Sequence, residues 1–316
     1  VIGEIIMENY KDQPLVSVGI PTYNRPEGLR RTLECMTQQT YNNLEIIVSD
    51  NCSPGRETEA VVREFMEQDS RIQYYLQDEN KGMAFNFQFV LEKSTGKYFM
   101  WASDDDEWEP SYVSCMVEVL ESNPDAVLSF CRFEYTYAYR QPLTRIDKRS
   151  KIIGLSRFYR LLYTSCLMPK MATSHYIFGL IRRDVLLKCG GIETRVDIYN
   201  GADMVTVFHL LYYGKFIRVD ELLYHCGQGQ RGAFTESSVQ KLSQQSFQTL
   251  VIKYLKWLMG WHQYYHIHRV IIKKTSLKYP QKIVIYAVLY INELLFYLNS
   301  LTQTLIRYAL NRPHAV

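Results

Sequence analysis

The chain has 316 residues, 47% of them hydrophobic, enough to bury a full core and to exclude a disordered or low-complexity protein. Its seven cysteines fall without C-x-x-C pairs or metal-ligand spacing, which argues against a disulfide framework or zinc module and for reduced thiols in the cytoplasm. The net charge of +3 hides an asymmetry: residues 1–236 hold 26 Lys and Arg against 32 Asp and Glu, whereas residues 237–316 hold 10 against one.

The opening VIGEIIMENYKDQ has no basic stretch followed by an apolar one, so it does not read as a secretion signal. LVSVGI (15–20) is strand-like, and PTYNR (21–25) follows it. Leu29, Leu33 and Met36 then recur at helical spacing in a segment that Asn24 can cap and Pro26 can open. LEIIVSD (44–50) predicts a second strand ending on Asp50. The rhythm repeats as a helix over 57–68, the strand IQYYL (72–76), a helix over 82–93 and the strand YFMWA (98–102). Such alternation predicts an α/β fold: a mostly parallel sheet with crossover helices on both faces.

Beyond Pro110 the spacing predicts a helix to Glu121, a strand over 127–133, a basic loop over 140–151 and a strand near 176–181. A helix over 202–213 and a last strand over 216–225 complete the unit, and GQGQRG (227–232) closes it. The expected division is a catalytic α/β domain over 1–236 and a basic, aromatic helical region over 237–316.

Ligands of open parallel sheets bind outside the carboxyl ends of the strands. In KYFMWASDDDEWEP an apolar strand stops on Asp104, Asp105 and Asp106 at such an end. Adjacent carboxylates repel unless they stay solvated, cap a helix or meet a cation. A helix starting near Pro110 would favour the acids by itself. Asp50 and the PTYNR loop, however, put polar groups on two more strand exits of the same rim.

The ordered set PTYN, Asp50 closing a strand, ENKG, GKYFMWASDDDEWEP, GGIETR and NGAD resembles the family 2 glycosyltransferases of GT-A fold over roughly residues 15–230. The resemblance implies that Pro21, Thr22, Tyr23 and Asp50 cradle a nucleotide base, uracil by expectation, with Arg25 in the same nucleotide-sugar site. A ring supplies a stacking face and a carboxylate reads an imide donor. Asn80, Lys81 and Gly82 match the segment beneath the ribose and diphosphate, although Lys81 can equally be a solvated loop lysine. Where relatives carry D-x-D-D this chain has Ser103, Asp104, Asp105 and Asp106. The resemblance makes Asp105 the direct ligand of Mn²⁺ or Mg²⁺, makes Asp104 a ribose or metal-shell contact, and leaves the part of Asp106 open.

Asp203 of NGAD matches the second acid of the family's E-D element, the general base, while the first acid is Ala202 here; Asp197 is the reserve candidate. A base opposite the leaving group implies inversion at the anomeric carbon. An Asp in a first helical turn can also be purely structural. His225 lies close to where some relatives place a metal-binding histidine, against the alternative of a structural His, and Arg231 can belong to a lid or to a linker. The implied activity moves a sugar from a nucleoside diphosphate, by expectation UDP, to a hydroxyl of a glycan or lipid-linked glycan. The alternative is a catalytically silent sugar-nucleotide binder or scaffold of the same fold. No G-x-S-x-G, P-loop or G-x-G-x-x-G element is present.

From Ser237 onward the chain reads as long helices mixing Lys and Arg with Trp and Tyr. The apolar run 283–298 is sixteen residues long and interrupted by Asn292 and Glu293, short for a membrane span. Two readings stand side by side: helices lying on an anionic membrane surface at its cytoplasmic face, or helices packed on the catalytic unit or on another copy in a homo-oligomer. Nucleic acid is not an expected partner.

Overall fold

The structure, a computed structural model, describes residues 13–135, 143–145, 155–167, 174–195, 201–227 and 247–310. The first half runs β1 (Val16–Thr22), α1 (Pro26–Thr37), β2 (Leu44–Asp50), α2 (Glu57–Met66), β3 (Ile72–Leu76), α3 (Met83–Lys93) and β4 (Tyr98–Trp101). These four strands are mutually parallel, with Val16 beside Leu44 on one flank and beside Tyr98 on the other. β1, β2 and β4 are buried along their whole length, as expected of central strands covered on both faces.

The second half continues with β5 (Glu107–Trp108), α4 (Tyr112–Ser122), β6 (Ala126–Tyr135), β7 (Leu143–Arg145), α5 (Arg157–Leu167), a 3-10 turn (Ser174–Phe178), β8 (Leu180–Arg182), α6 (Arg183–Cys189), α7 (Ala202–Tyr213) and β9 (Lys215–Cys226). The sheet order is β3-β2-β1-β4-β8-β6-β9-β5, with β7 beside β6. β8 runs antiparallel to both its neighbours, while β6 and β9 are parallel to each other. The strand expected over 176–181 is therefore shorter and later, because Ser174–Phe178 winds into a turn that packs Tyr176 on Phe130 at 4.6 Å between ring centres.

Two apolar layers sandwich the sheet. Leu29, Leu33 and Met36 of α1 and Val113 and Met116 of α4 pack on one face; each such side chain contributes about 1.5–3 kcal/mol on burial. Val90 and Leu91 of α3, Leu186 of α6 and Phe208 and Leu211 of α7 cover the other.

The helices α8 (Phe247–Lys274) and α9 (Tyr279–Leu310) extend this second layer: Ile271, Ile272, Ile285 and Leu289 share its core. Asn292 Nδ2 donates to the Ser165 carbonyl at 2.5 Å, fastening α9 to α5. Glu293, the single acid of the 237–316 region, is buried and takes Arg269 at 2.5 Å and His262 at 2.7 Å. Uninterrupted helix carries the apolar stretch well past sixteen residues. Tyr279–Ser300, 22 residues of mean hydropathy 1.5, is long and apolar enough to cross a membrane by length and composition, yet one of its faces is packed on protein.

Candidate active site

The rim at the carboxyl ends of β1, β2 and β4 gathers most of the expected residues. Pro21 and Thr22 close β1 opposite Ser49 and Asp50 of β2. Thr22 Oγ1 donates to Asp104 Oδ2 at 2.8 Å, so the first strand exit is tied to the acidic loop. Tyr23 is 45% exposed and free to offer its ring. Asn24 is left-handed with φ 53°, its N–H donating to Ser53 Oγ at 2.7 Å, and the residue at the helix cap is Arg25 rather than Asn24. Arg25 has no side-chain acceptor with which to cap the helix, and its guanidinium turns to the aspartates: Nη1 lies 3.2 Å from Asp104 Oδ1 and 2.8 Å from Asp105 Oδ2.

Asp50 is buried, accepting from the Ser53 N–H at 2.8 Å and from the Tyr74 hydroxyl at 3.1 Å. Asn51 and Asn86, which patterning did not single out, stitch the rim together. Asn51 Nδ2 donates to Asn80 Oδ1 at 2.9 Å, and Asn51 Oδ1 accepts from the Lys81 N–H at 3.0 Å. Asn86 Nδ2 reaches the carbonyls of both Thr22 and Ser49, at 3.2 and 2.9 Å. Amides suit this work because one side chain can donate and accept at once. Gly82 stands at the cap of α3 with φ +86°, a left-handed requirement that a glycine meets without strain. Lys81 rests its ammonium over the Phe85 ring, 5.0 Å from its centre, rather than in the acidic loop.

The three aspartates separate into different environments. Burial pushes Asp104 up to about 6 despite the pull of Arg25. Asp105 is held by Arg25 and by Ser103 Oγ at 2.5 Å, so the serine in the first acidic position braces the metal candidate. Asp106 points elsewhere: it accepts from Tyr224 Oη at 2.5 Å and from the Gly227 N–H at 2.8 Å, and burial, then the Asp105 charge, raises it to about 6. Its role left open by the sequence is thus to fasten the end of β9. α1 approaches this loop closely at Gly28, where a Cβ would stand 2.2 Å from the Asp104 carbonyl oxygen, and Thr32 Oγ1 donates to the Ser103 carbonyl at 2.9 Å.

His225, the second metal-ligand candidate, is paired with two carboxylates in this structure. Side chains alternate along β9, so with Tyr224 turned to Asp106 its neighbour faces the other way. The His225 ring sits between Glu134, 2.8 Å from Nδ1, and Glu109, 2.9 Å from Nε2, and not against Asp105. Among the described residues no group of three or more His, Cys, Asp or Glu side chains converges as a metal centre. The donor set still fits a hard divalent cation, since Asp104 and Asp105 turn one oxygen each to a single cationic group.

Asp203 stands in the first turn of α7, partly exposed, its Oδ1 accepting from the Met204 N–H at 2.8 Å; burial raises its carboxyl to about 6. Ala202 is fully buried, a setting in which the acid of relatives would be desolvated. α8 brings Tyr264 beneath this turn: a Cβ on Gly201 would lie 3.1 Å from Tyr264 Cε2. The Tyr264 hydroxyl is buried with no hydrogen-bond partner among the described residues, and the Asp203 charge, after burial and Tyr265, helps to raise its pKa. Asp197 and Arg231 lie outside the described residues.

This sheet order and acidic rim define a mixed α/β fold with its candidate site at the carboxyl ends of β1, β2 and β4. The chain belongs to glycosyl transferase family 2, whose profile matches residues 17–190. It is 28% identical over 130 residues to the putative teichuronic acid biosynthesis glycosyltransferase TuaG of Bacillus subtilis, covering 41% of this chain and 48% of that one. It is 32% identical over 106 residues to the putative colanic acid biosynthesis glycosyl transferase WcaA of Escherichia coli, covering 33% and 37%. The matched stretch spans less than half the length of either relative. In fold it is similar to S. aureus TarS 1–349 solved with UDP-GlcNAc, at a TM-score of 0.59 and 14% identity over 89% of this chain and 73% of that one. It is also similar to the mannosyltransferase PcManGT of Pyrobaculum calidifontis solved with GDP-Man and Mn²⁺, at 0.53 and 15% over 93% and 94%. The fold is thus GT-A-like.

Proposed function

We propose that the protein is an inverting, metal-dependent glycosyltransferase that moves a sugar from a nucleoside diphosphate, UDP by preference, to a hydroxyl of a glycan or lipid-linked glycan. The observation that carries this reading is the convergence of Asp50, Asp104 and Asp105 with Arg25 on one rim of the sheet. Asp50 reads the base and Tyr23 lies along it. Asp105, with Asp104 beside it, holds Mn²⁺ or Mg²⁺, which when bound supplies Lewis-acid stabilisation of the departing diphosphate. Arg25 adds a second cation for the phosphates. Asp203, with its carboxyl near 6, is mostly ionised at neutral pH and takes the proton of the acceptor hydroxyl. The UDP-GlcNAc and GDP-Man complexes of the two solved neighbours support a nucleotide-sugar donor, and the polysaccharide pathways in the relatives' names support a glycan acceptor.

The test is calorimetry with UDP, with and without Mn²⁺, followed by a panel of nucleotide sugars assayed for hydrolysis and transfer. Manganese-dependent UDP binding with turnover is expected. Binding without turnover of any donor would make the protein a silent sugar-nucleotide binder, and no UDP binding would overturn the reading.

A further inference from the structure

The outward face of α9 is an apolar stripe with a register. Val284, Ile291 and Leu298 stand seven residues apart, and Leu294 and Leu295 fill the turn between them. These five side chains are between 44% and 58% exposed. A seven-residue repeat keeps one seam straight along a supercoiling helix, which is what a facing helix requires and a fluid lipid surface does not. Together with Tyr290 the stripe offers roughly 600 Å² of exposed surface, at the low end for one side of a stable protein–protein interface.

Charge distinguishes the occupants. A helix lying in a membrane surface carries cations along the flanks of its apolar face. Here the single charged residue of 283–300 is Glu293, which is turned inward and paired. Among the described residues the cations near the stripe are Lys273, Lys274, Lys278 and Lys282 at the turn between α8 and α9, and Arg269, which lies over the Tyr290 ring at 4.4 Å and is paired with Glu293.

We infer that this face of α9 docks on the same face of a second copy of the chain, antiparallel, with Ile291 near the two-fold axis. A parallel pair would set Lys278 and Lys282 of both copies side by side. An antiparallel pair separates them by about 27 Å or more, beyond the screening length at physiological salt. Val284 of one copy then meets Leu298 of the other, and the contact is self-complementary as a two-fold interface must be. This inference stands apart from the catalytic reading.

Sedimentation velocity of the full chain over an approximately hundredfold concentration range tests it. The expected result is a reversible dimer that Ile291→Glu with Leu294→Glu converts to monomer without changing the circular dichroism spectrum, or the urea midpoint at concentrations where both chains are monomeric. Orientation is read by mixing Val284→Cys with Leu298→Cys chains: oxidation should trap the unlike pair in preference to either like pair, beyond what the wild-type cysteines give. A wild-type monomer throughout, a dimer indifferent to the double substitution, or a monomer that floats with phosphatidylglycerol vesicles through Ile291 and Leu294 would each overturn the proposal.

Discussion

The Arg25 guanidinium lies 2.8 Å from the Asp105 carboxylate and 3.2 Å from that of Asp104. One side chain thereby balances two neighbouring acids, one of them almost wholly enclosed. α1 begins without a side-chain cap because a guanidinium carries only donors, and the residue at its N-terminus is engaged across the rim instead.

Removing that cation has a consequence that depends on pH. Asp104, Asp106 and Asp203 all sit near 6, above the ordinary value of 3.8. The folded state therefore binds more protons than the unfolded one between those values, and stability falls as pH rises from about 4 to about 6. Arg25→Met should deepen this loss, costing about 1–2 kcal/mol above pH 7, at the low end for a charge pair because Arg25 is half exposed. Below pH 4 it should cost little. Urea unfolding of both chains at several pH values measures it.

Asp105 and Asp106 are adjacent in sequence and divergent in contact, so their substitutions should separate. Asp105→Asn is expected to abolish the Mn²⁺ dependence of UDP binding while leaving the unfolding midpoint nearly unchanged. Tyr224→Phe deprives buried Asp106 of a donor and should cost about 1–3 kcal/mol, with UDP affinity preserved. Calorimetry and urea titration of the two variants provide the comparison.

For Asp203 the expected signature is an acidic limb in the pH profile of kcat/KM near 6. Asp203→Asn should keep UDP binding and remove transfer. Tyr264→Phe takes a buried dipole from beneath the same turn and leaves the ring in place; the more apolar surroundings should move the limb upward, whereas Tyr265→Phe should not move it.

His225 bridges Glu109 and Glu134, so His225→Gln should leave Mn²⁺ affinity unchanged and lower stability by about 1 kcal/mol, the scale of a partly exposed hydrogen-bonded pair. A loss of metal affinity without loss of stability would restore the ligand role that the sequence suggested.

Much of the first half was legible in the chain because local patterns and global fold agree there. Continuous apolar runs mark β1, β2 and β4, Pro26 opens α1, and polar residues punctuate each strand exit, so PTYNR, Asp50 and the three aspartates could be set on one rim from their places, while the parts assigned to single residues came only from the family resemblance. The second half was less legible: β8 has three residues and β5 two, lengths below any periodic signal.

By itself, then, the sequence determined the alternation of strands and helices, the acidic rim and the family. Only the tertiary structure decided which way each side chain turned. A strand's alternation sends Tyr224 to Asp106 and His225 away from it, and a helix cap displaced by one residue sends Arg25 to two aspartates. The docking of α8 on α7 and of α9 on α5 and α8 belongs to the same class. Helices rich in apolar and aromatic residues all round do not disclose which face is covered until a packed neighbour covers one, leaving the Ile291 face bare.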